Sequence, residues 1–428
     1  MDVSGEGRGE NINLRSADWH LTAPQRRIHV STSNCQPIMF SFHIEKLLPF
    51  IFFLLVILIG HGRAEISGPP ITDNNYRLDL RQGPIIGSAK QVALGGAYIG
   101  LAEGINSLNS NPAGVAFRPA RSTSKFDWDW TLGATNLTSD DFDNNGNSPP
   151  DYKTHRILTM GLMGQWGPWG VGFLNNGEIL ELENDSGSPS EYALNVTSFA
   201  LGRQFFDQSL TLGVGLRTTM IKVRTKRFDT TLGEISGVGW QIGGVWNPRK
   251  GPFRLGFSYA SSITSRQSIS TTSTTPVTVN GLIVPAEATL PAEVGVGASY
   301  RWPSAPFWKG HPWLLTGDLV FYGPSENAVG VESVLAQKKQ PIGTHTTMSV
   351  RLGTELETIP GRLRVRLGSY YEPSFFEDIQ GRTHLTGGIE ARLFHTSIWG
   401  DYDWGLTFTV DYAGNYLNQF VSIGFWYF

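Results

Sequence analysis

The chain has 428 residues, of which 17% are charged and 40% apolar, with 50 Gly, 13 Trp and a formal net charge of −3. About a quarter of a soluble domain is usually charged, so this chain is poor in charge, and its near-neutral balance excludes a basic nucleic-acid surface. The single cysteine, Cys35, leaves no disulfide, thiolate or cysteine-metal chemistry to anything downstream of it.

Residues 1–38 are polar and aperiodic, and read as a disordered leader or an over-extended start. Met39 opens a different stretch. Lys46 precedes the apolar run Leu47–Ile59, and the small residues of Gly62-Arg63-Ala64 follow it. The run is shorter than the ~20 residues a bilayer-spanning helix needs. A cationic start, a short apolar middle and a small-residue end make residues 39–64 a secretory signal peptide, cleaved after Ala64. Nothing beyond it is long and apolar enough to cross a membrane as a helix.

Residues 65–120 are expected to form a periplasmic N-terminus and a hatch. Gly87–Phe117 is rich in Gly and Ala, carries only Lys90 and Glu103 as charges, and ends in Asn111-Pro112-Ala113-Gly114. Pro restricts the residue before it to extended backbone, and Gly permits positive φ. Such a segment is built to fit inside something. The four residues Asn111, Pro112, Ala113 and Gly114 either gate that interior or form the corner that seats the segment.

From residue 121 to the end the period is two. Leu210, Leu212, Val214 and Leu216 alternate with Thr211, Gly213, Gly215 and Arg217; Leu363, Val365 and Leu367 alternate with Arg364, Arg366 and Gly368. The same holds for Phe253–Tyr259, Met348–Leu352 and Trp404–Tyr412. One face is apolar and the other polar or small, as a lipid-facing wall around a lumen requires. Long polar connections, such as Ser139–Asp151, Lys222–Ser236 and Ser261–Thr289, alternate with tight ones at Gly167-Pro168, Phe206–Gln208 and Ile359–Arg362. Ala413–Tyr416 is short and breaks that rhythm. The pattern predicts an all-β chain: a transmembrane antiparallel barrel of about fourteen strands over 121–428, with the hatch as a plug in its lumen. Trp166, Trp169, Trp302, Phe307, Trp308 and Trp313 mark strand ends, where an aromatic ring is half in oil and half wet.

Chemistry-bearing motifs are few. Asp141-Phe142-Asp143-Asn144-Asn145-Gly146 opens like a calcium loop, but Tyr152 stands where the closing acid belongs. The histidines after the signal are scattered, no G-x-S-x-G occurs, and G-x-G patterns lie inside strands, so no enzyme, metal site or cofactor is expected. Arg217, Asp318, Arg351, Glu355, Arg364 and Arg366 fall on the lumenal face. Arg217, Arg351, Arg364 and Arg366 are candidate contacts for a ligand carboxylate; the alternative is an internal ion network that stiffens the barrel.

Several stretches together resemble one family. They are Leu94-Gly95-Gly96-Ala97-Tyr98 followed by Asn111-Pro112-Ala113-Gly114, then Leu290-Pro291-Ala292-Glu293-Val294-Gly295-Val296-Gly297-Ala298-Ser299-Tyr300 with Thr316-Gly317-Asp318, then Leu363–Tyr371, and the terminal Phe428. The chain resembles the outer-membrane channels for long-chain fatty acids and aromatic hydrocarbons of FadL/TodX type. That resemblance implies a fourteen-stranded monomeric barrel in the outer membrane of a Gram-negative-type bacterium. Its partners would be the membrane lipid, a hydrophobic small molecule such as a long-chain fatty acid, and the barrel-assembly machinery reading Phe428. Ligand would pass without energy input, gated by the hatch. Related barrels that serve secretion systems supply the alternative, a docking barrel without a transported ligand.

Overall fold

The computed structural model describes residues 68–81, 83–117, 125–139, 141–146, 152–183, 189–225, 230–248, 251–266, 275–279, 281–397, 400–414 and 416–426. The leader, the signal peptide and Phe428 lie outside the described residues.

Fourteen antiparallel strands close into a barrel. A short strand, β1 (Arg77–Asp79), comes first and stays out of the wall. The wall then runs β2 (Phe126–Ser139), β3 (Tyr152–Trp166), β4 (Trp169–Glu183), β5 (Pro189–Phe205), β6 (Leu210–Thr225), β7 (Thr230–Trp246) and β8 (Phe253–Ala260). Four short strands that are not part of the wall follow: β9 (Ile263–Arg266), β10 (Thr278–Val279), β11 (Leu282–Ile283) and β12 (Glu287–Leu290). The wall resumes with β13 (Glu293–Trp302) and β14 (Trp313–Tyr322), gives way to β15 (Ala328–Val329) and β16 (Pro341–Ile342), and finishes with β17 (Thr347–Ile359), β18 (Leu363–Glu372), β19 (Arg382–Thr396), β20 (Tyr402–Ala413) and β21 (Tyr416–Trp426). Closure is by β2 against β21, with Thr131 opposite Gly424 and Ser139 opposite Tyr416.

The outer surface is apolar where the alternation places it. Leu158, Met160, Leu162, Val171, Phe199, Val214, Leu216, Leu352, Ile389 and Phe408 are all exposed. On a protein in water such a belt would be unstable; around a closed barrel it is the lipid-facing band of an outer-membrane protein. Closure matters because it leaves no backbone edge unpaired in lipid. Among the described residues no helix is long and apolar enough to cross.

The wall is uneven in height. β3 to β7 have 15, 15, 17, 16 and 17 residues, whereas β8, β13, β14 and β18 have 8, 10, 10 and 10. A tilted strand crosses a bilayer in about 9–11 residues, so the β3–β7 flank stands well above the membrane and the opposite flank stops near it. β8 pairs with β7 only from Leu255 to Ala260. Beyond Ala260 the chain turns inward as β9, which lies on the inner face of β7 where Gly237 and Gly239 make room for Ile263 and Ser265.

The inward turn builds a second sheet, ordered β16-β15-β1-β12-β9, across the long-loop end of the barrel. Its centre is the N-terminal strand β1, parallel to both β12 and β15. This corrects one expectation. The stretch ahead of the hatch was expected in the periplasm, yet Arg77 stands opposite Glu287 and Ala328, both in connections at the far end from the tight turns. The reason is hydrophobic: Leu78, Leu80, Ile263, Ala288 and Leu290 bury themselves against Leu180, Leu194, Ile221 and Ile235 of the tall flank.

Candidate functional site: the plug and the cavity above it

The segment from Ser88 to Phe117 fills the lumen. A helix, α1 (Ala89–Ala93), starts at Ser88, whose side chain accepts from the Gln91 N–H. Gly95 and Gly96 then turn the chain with φ of 60° and 70°, values a Cβ-bearing residue rarely adopts. Two 3₁₀ turns follow, Ile105–Ser107 and Pro112–Ala116.

A segment this irregular carries many backbone groups with no partner of its own, and the wall supplies them. The Asp318 carboxylate accepts from the N–H groups of Tyr98, Ile99 and Gly100 at 2.6, 2.7 and 3.4 Å. Asp129 accepts from Ile105 N–H at 3.1 Å. Thr316 and Thr409 donate to the carbonyls of Ala97 and Ala89 at 3.0 and 2.9 Å. The plug's acid, Glu103, pairs with Arg254 at 2.5 Å and Arg301 at 3.0 Å. Its base, Lys90, lies in the field of Glu390 and Glu355.

Asn111 is buried and fully used. Its Oδ1 accepts from Ala113 N–H at 3.0 Å, capping the second 3₁₀ turn, and its Nδ2 donates to the carbonyls of Ile99 and Gly244 at 3.0 and 3.1 Å. Wall glycines let the plug come this close. A Cβ at Gly213, Gly243, Gly256 or Gly353 would overlap Ala113, Asn111, Ile99 or Leu94. Elsewhere the seam is oily: Ile105, Leu108 and Val115 pack on Met163, Leu174 and Ala200.

Between the plug and the mouth sheet lies a cavity of about 150 Å³. Its apolar lining includes Leu80, Ile85, Ile99, Leu194, Tyr259 and Phe375. Of the four arginines singled out in the sequence, Arg217 and Arg351 line it. Arg217 forms a 3.7 Å ion pair with Glu293. Arg351 donates to the Tyr322 hydroxyl at 2.5 Å and to the Gly96 carbonyl at 3.4 Å.

Arg364 and Arg366 do not join them. Arg366 bridges Glu355, at 2.6 Å, and Glu390. Arg364 reaches Glu357 at 3.6 Å and lies 4.0 Å from the centre of the Trp426 ring. Both guanidiniums are held by acids of neighbouring strands, so the ion-network alternative describes these two.

Other sequence candidates fall outside the cavity. Asp141 accepts from the N–H groups of Asn145 and Gly146 at 3.0 and 3.2 Å, and Asn145 Nδ2 donates to Glu332, which reaches in from the short helix Val331–Ala336. Burial raises the Asp143 carboxyl well above its usual range, and Glu332 and Asp141 push it the same way. Among the described residues no three metal-type side chains converge. His395 meets Asp403 at 3.0 Å and Ser397 at 3.2 Å, and the second Asp403 oxygen takes Arg392 at 3.2 Å, but all three bonds lie in a local, solvent-exposed stretch at the tight-turn end. Loop residues such as Phe375, and Glu178 and Gln241 of the wall, line the cavity without having been singled out; the last two were visible only as polar residues on inward positions of their strands.

No family model matches the sequence, and no curated protein does. Solved structures do. A CymD monoaromatic hydrocarbon channel aligns with a TM-score of 0.50 at 12% identity, over 79% of this chain and 96% of that one. The chain has that channel's fold. Two further matches are the TodX deltaS2S3 mutant, a monoaromatic hydrocarbon channel, at a TM-score of 0.49, 13% identity and coverage of 79% and 98%, and the Pseudomonas putida toluene transporter TodX at 0.45, 12% and coverage of 82% and 99%. At such identities the likeness is one of fold, and function has to be argued from the site.

Proposed function

We propose that the chain is a passive outer-membrane channel for small hydrophobic molecules, which enter at the long-loop end, rest in the cavity and leave past the plug. The observation that carries this reading is the half-apolar cavity stacked on the plug that fills the lumen beneath it. The protein neighbours of this fold named as hydrocarbon channels add to it. The cavity's size refines the ligand. A space of ~150 Å³ is what a benzene-sized ring occupies, whereas sites for larger ligands run to about 300–1,000 Å³. A single ring fits as the lumen stands, and a long-chain fatty acid would need the mouth sheet or the plug to move. Asn111 to Gly114 would serve release, because they seat the plug against Gly213 and Gly243. The closed barrel needs no second copy to protect an edge, which is in keeping with a monomer.

The test is uptake of labelled toluene and labelled oleate by a transport-deficient host expressing the chain, with insertion checked by heat-modifiable migration. Toluene uptake above the empty host is expected. Correct insertion with neither compound taken up would favour the second reading, a docking barrel, which the Arg364–Arg366 network supports by packing one flank of the lumen with ion pairs.

A further inference from the structure

The register fixes which side chains stand level on the outside of β3 to β6. Just above the tight turns, Trp166, Trp169, Arg203 and Leu212 lie side by side in one row, and all four are exposed. The next two outward rows are apolar, running from Gly164 and Leu162 on β3 to Val214 and Leu216 on β6. A shallow hollow of about 700 Å³ spans them, with Val171, Phe173, Phe199 and Leu201 among its lining. Gly164 helps to open it: a Cβ there would meet nothing but the Phe126 ring.

Arg203 is the one charge in that lowest row. Its guanidinium lies 4.6 Å from the centre of the Trp169 ring and 5.0 Å from that of Phe205. Ring contacts hold a guanidinium in place and leave its N–H donors to other partners. Among the described residues no acid pairs with it. Arg392, at the same end of the barrel, has Asp403 at 3.2 Å. A ring-held cation without an acid, at the edge of an oily band, is matched by an anion at that depth. In a bilayer the anion at the level of the aromatic girdle is the phosphodiester of a lipid headgroup. Successive outward rows are about 7 Å apart, so a phosphate on Arg203 brings the lipid's chains to the hollow.

We propose that β3 to β6 seat one glycerophospholipid of the periplasmic leaflet against the outer wall, with its phosphate on Arg203 and an acyl chain in the hollow above. The seat backs onto the plug. Met163 and Ala200 line the hollow from behind and, on the lumenal side, pack on Ile105, Leu108 and Val115.

The experiment is native mass spectrometry of the delipidated barrel in detergent, titrated with phosphatidylglycerol, with diacylglycerol of the same chains and with glycerol 3-phosphate. One phosphatidylglycerol binds per barrel, and losing either the phosphate or the chains weakens binding about tenfold. Arg203→Met weakens phosphatidylglycerol by the same factor and leaves diacylglycerol unchanged. Gly164→Leu, which fills the hollow, weakens both. Both substitutions face lipid, and heat-modifiable migration checks that the barrel is closed. The wild-type comparison stands alone if a variant does not fold: diacylglycerol or glycerol 3-phosphate binding as tightly as phosphatidylglycerol overturns the proposal. Unchanged phosphatidylglycerol affinity in Arg203→Met or Gly164→Leu also overturns it. So does uptake of many copies with no break after the first, which is how unselected boundary lipid binds.

Discussion

The two flanks of the lumen hold the plug in different ways. β3 to β5 turn Met163, Leu174 and Ala200 onto Ile105, Leu108 and Val115, and higher up Leu180, Leu194, Ile221 and Ile235 receive the mouth sheet. β8, β13, β14 and β17 to β19 instead turn Arg254, Arg301, Asp318, Glu355, Arg366 and Glu390 inward, and these wall groups grip the plug or one another. Apolar contact is non-directional and fades gradually with the area lost. A buried ion pair or hydrogen bond fails at once when one partner goes, and leaves the other stranded. The oily flank thus permits sliding, and the ionic flank sets position.

Four substitutions break or sharpen that contrast. The largest effect is expected from Arg366→Met, which takes the nearest cation from Glu355 and Glu390 and leaves them Arg364 at 3.9 and 3.8 Å; removing one member of such a set costs about 4 kcal/mol. Urea titration followed by gel migration should show it, and adding Glu355→Leu and Glu390→Leu should return much of the loss. Leu174→Ala, on the oily flank, should cost about 3 kcal/mol through the cavity it leaves beside Ile105; a larger loss than for Arg366→Met would invert the contrast. Asp318→Asn keeps the shape but exchanges one acceptor oxygen for a donor facing backbone N–H groups. About 2 kcal/mol is at stake, and it should appear as raised ion conductance through planar bilayers, with little change in the urea midpoint. The smallest is Asn111→Ala, about 1 kcal/mol for the lost cap, read as faster hydrogen exchange at Ala113 while the barrel amides stay protected.

The same contrast explains what could be read from the sequence. β6, β8, β17, β18 and β20 alternate visibly because their inner faces are polar or small. On β3 to β5 of the tall flank apolar residues stand on both faces: Leu158 and Val171 point to lipid while Ile157, Leu174, Leu180 and Leu194 point inward. Period two disappears there, since the lumen is filled by apolar protein. The plug was legible from its Gly and Ala, because only small residues pass between glycine-bearing walls. The mouth sheet was not, because its strands have two to four residues and β1 finds β12 some 210 positions away. The four arginines looked alike by alternation. What separates them is the tight turn after Ile359, which sets Glu355 opposite Arg366 and Glu357 opposite Arg364; counting back from that turn would have shown both arginines paired. Asp318 stands opposite Arg351 in the same manner, yet its carboxylate goes to the plug amides, and no count along strands predicts that.

The placement of β1 has a consequence for how the molecule is made. Residues 68–117 lie within a ring sealed by β2 and β21, the first and last wall strands to be synthesised. A finished ring could not be threaded from below by a segment that is already central to the sheet above it. The leading end must be drawn up while the seam is open, so the zipping of β2 to β21 comes last. Gly68, Pro69 and Pro70 are exposed beside Lys338 and Lys339 at the long-loop end. An epitope inserted just ahead of Gly68 would therefore be stained on intact cells, with no need to open the envelope.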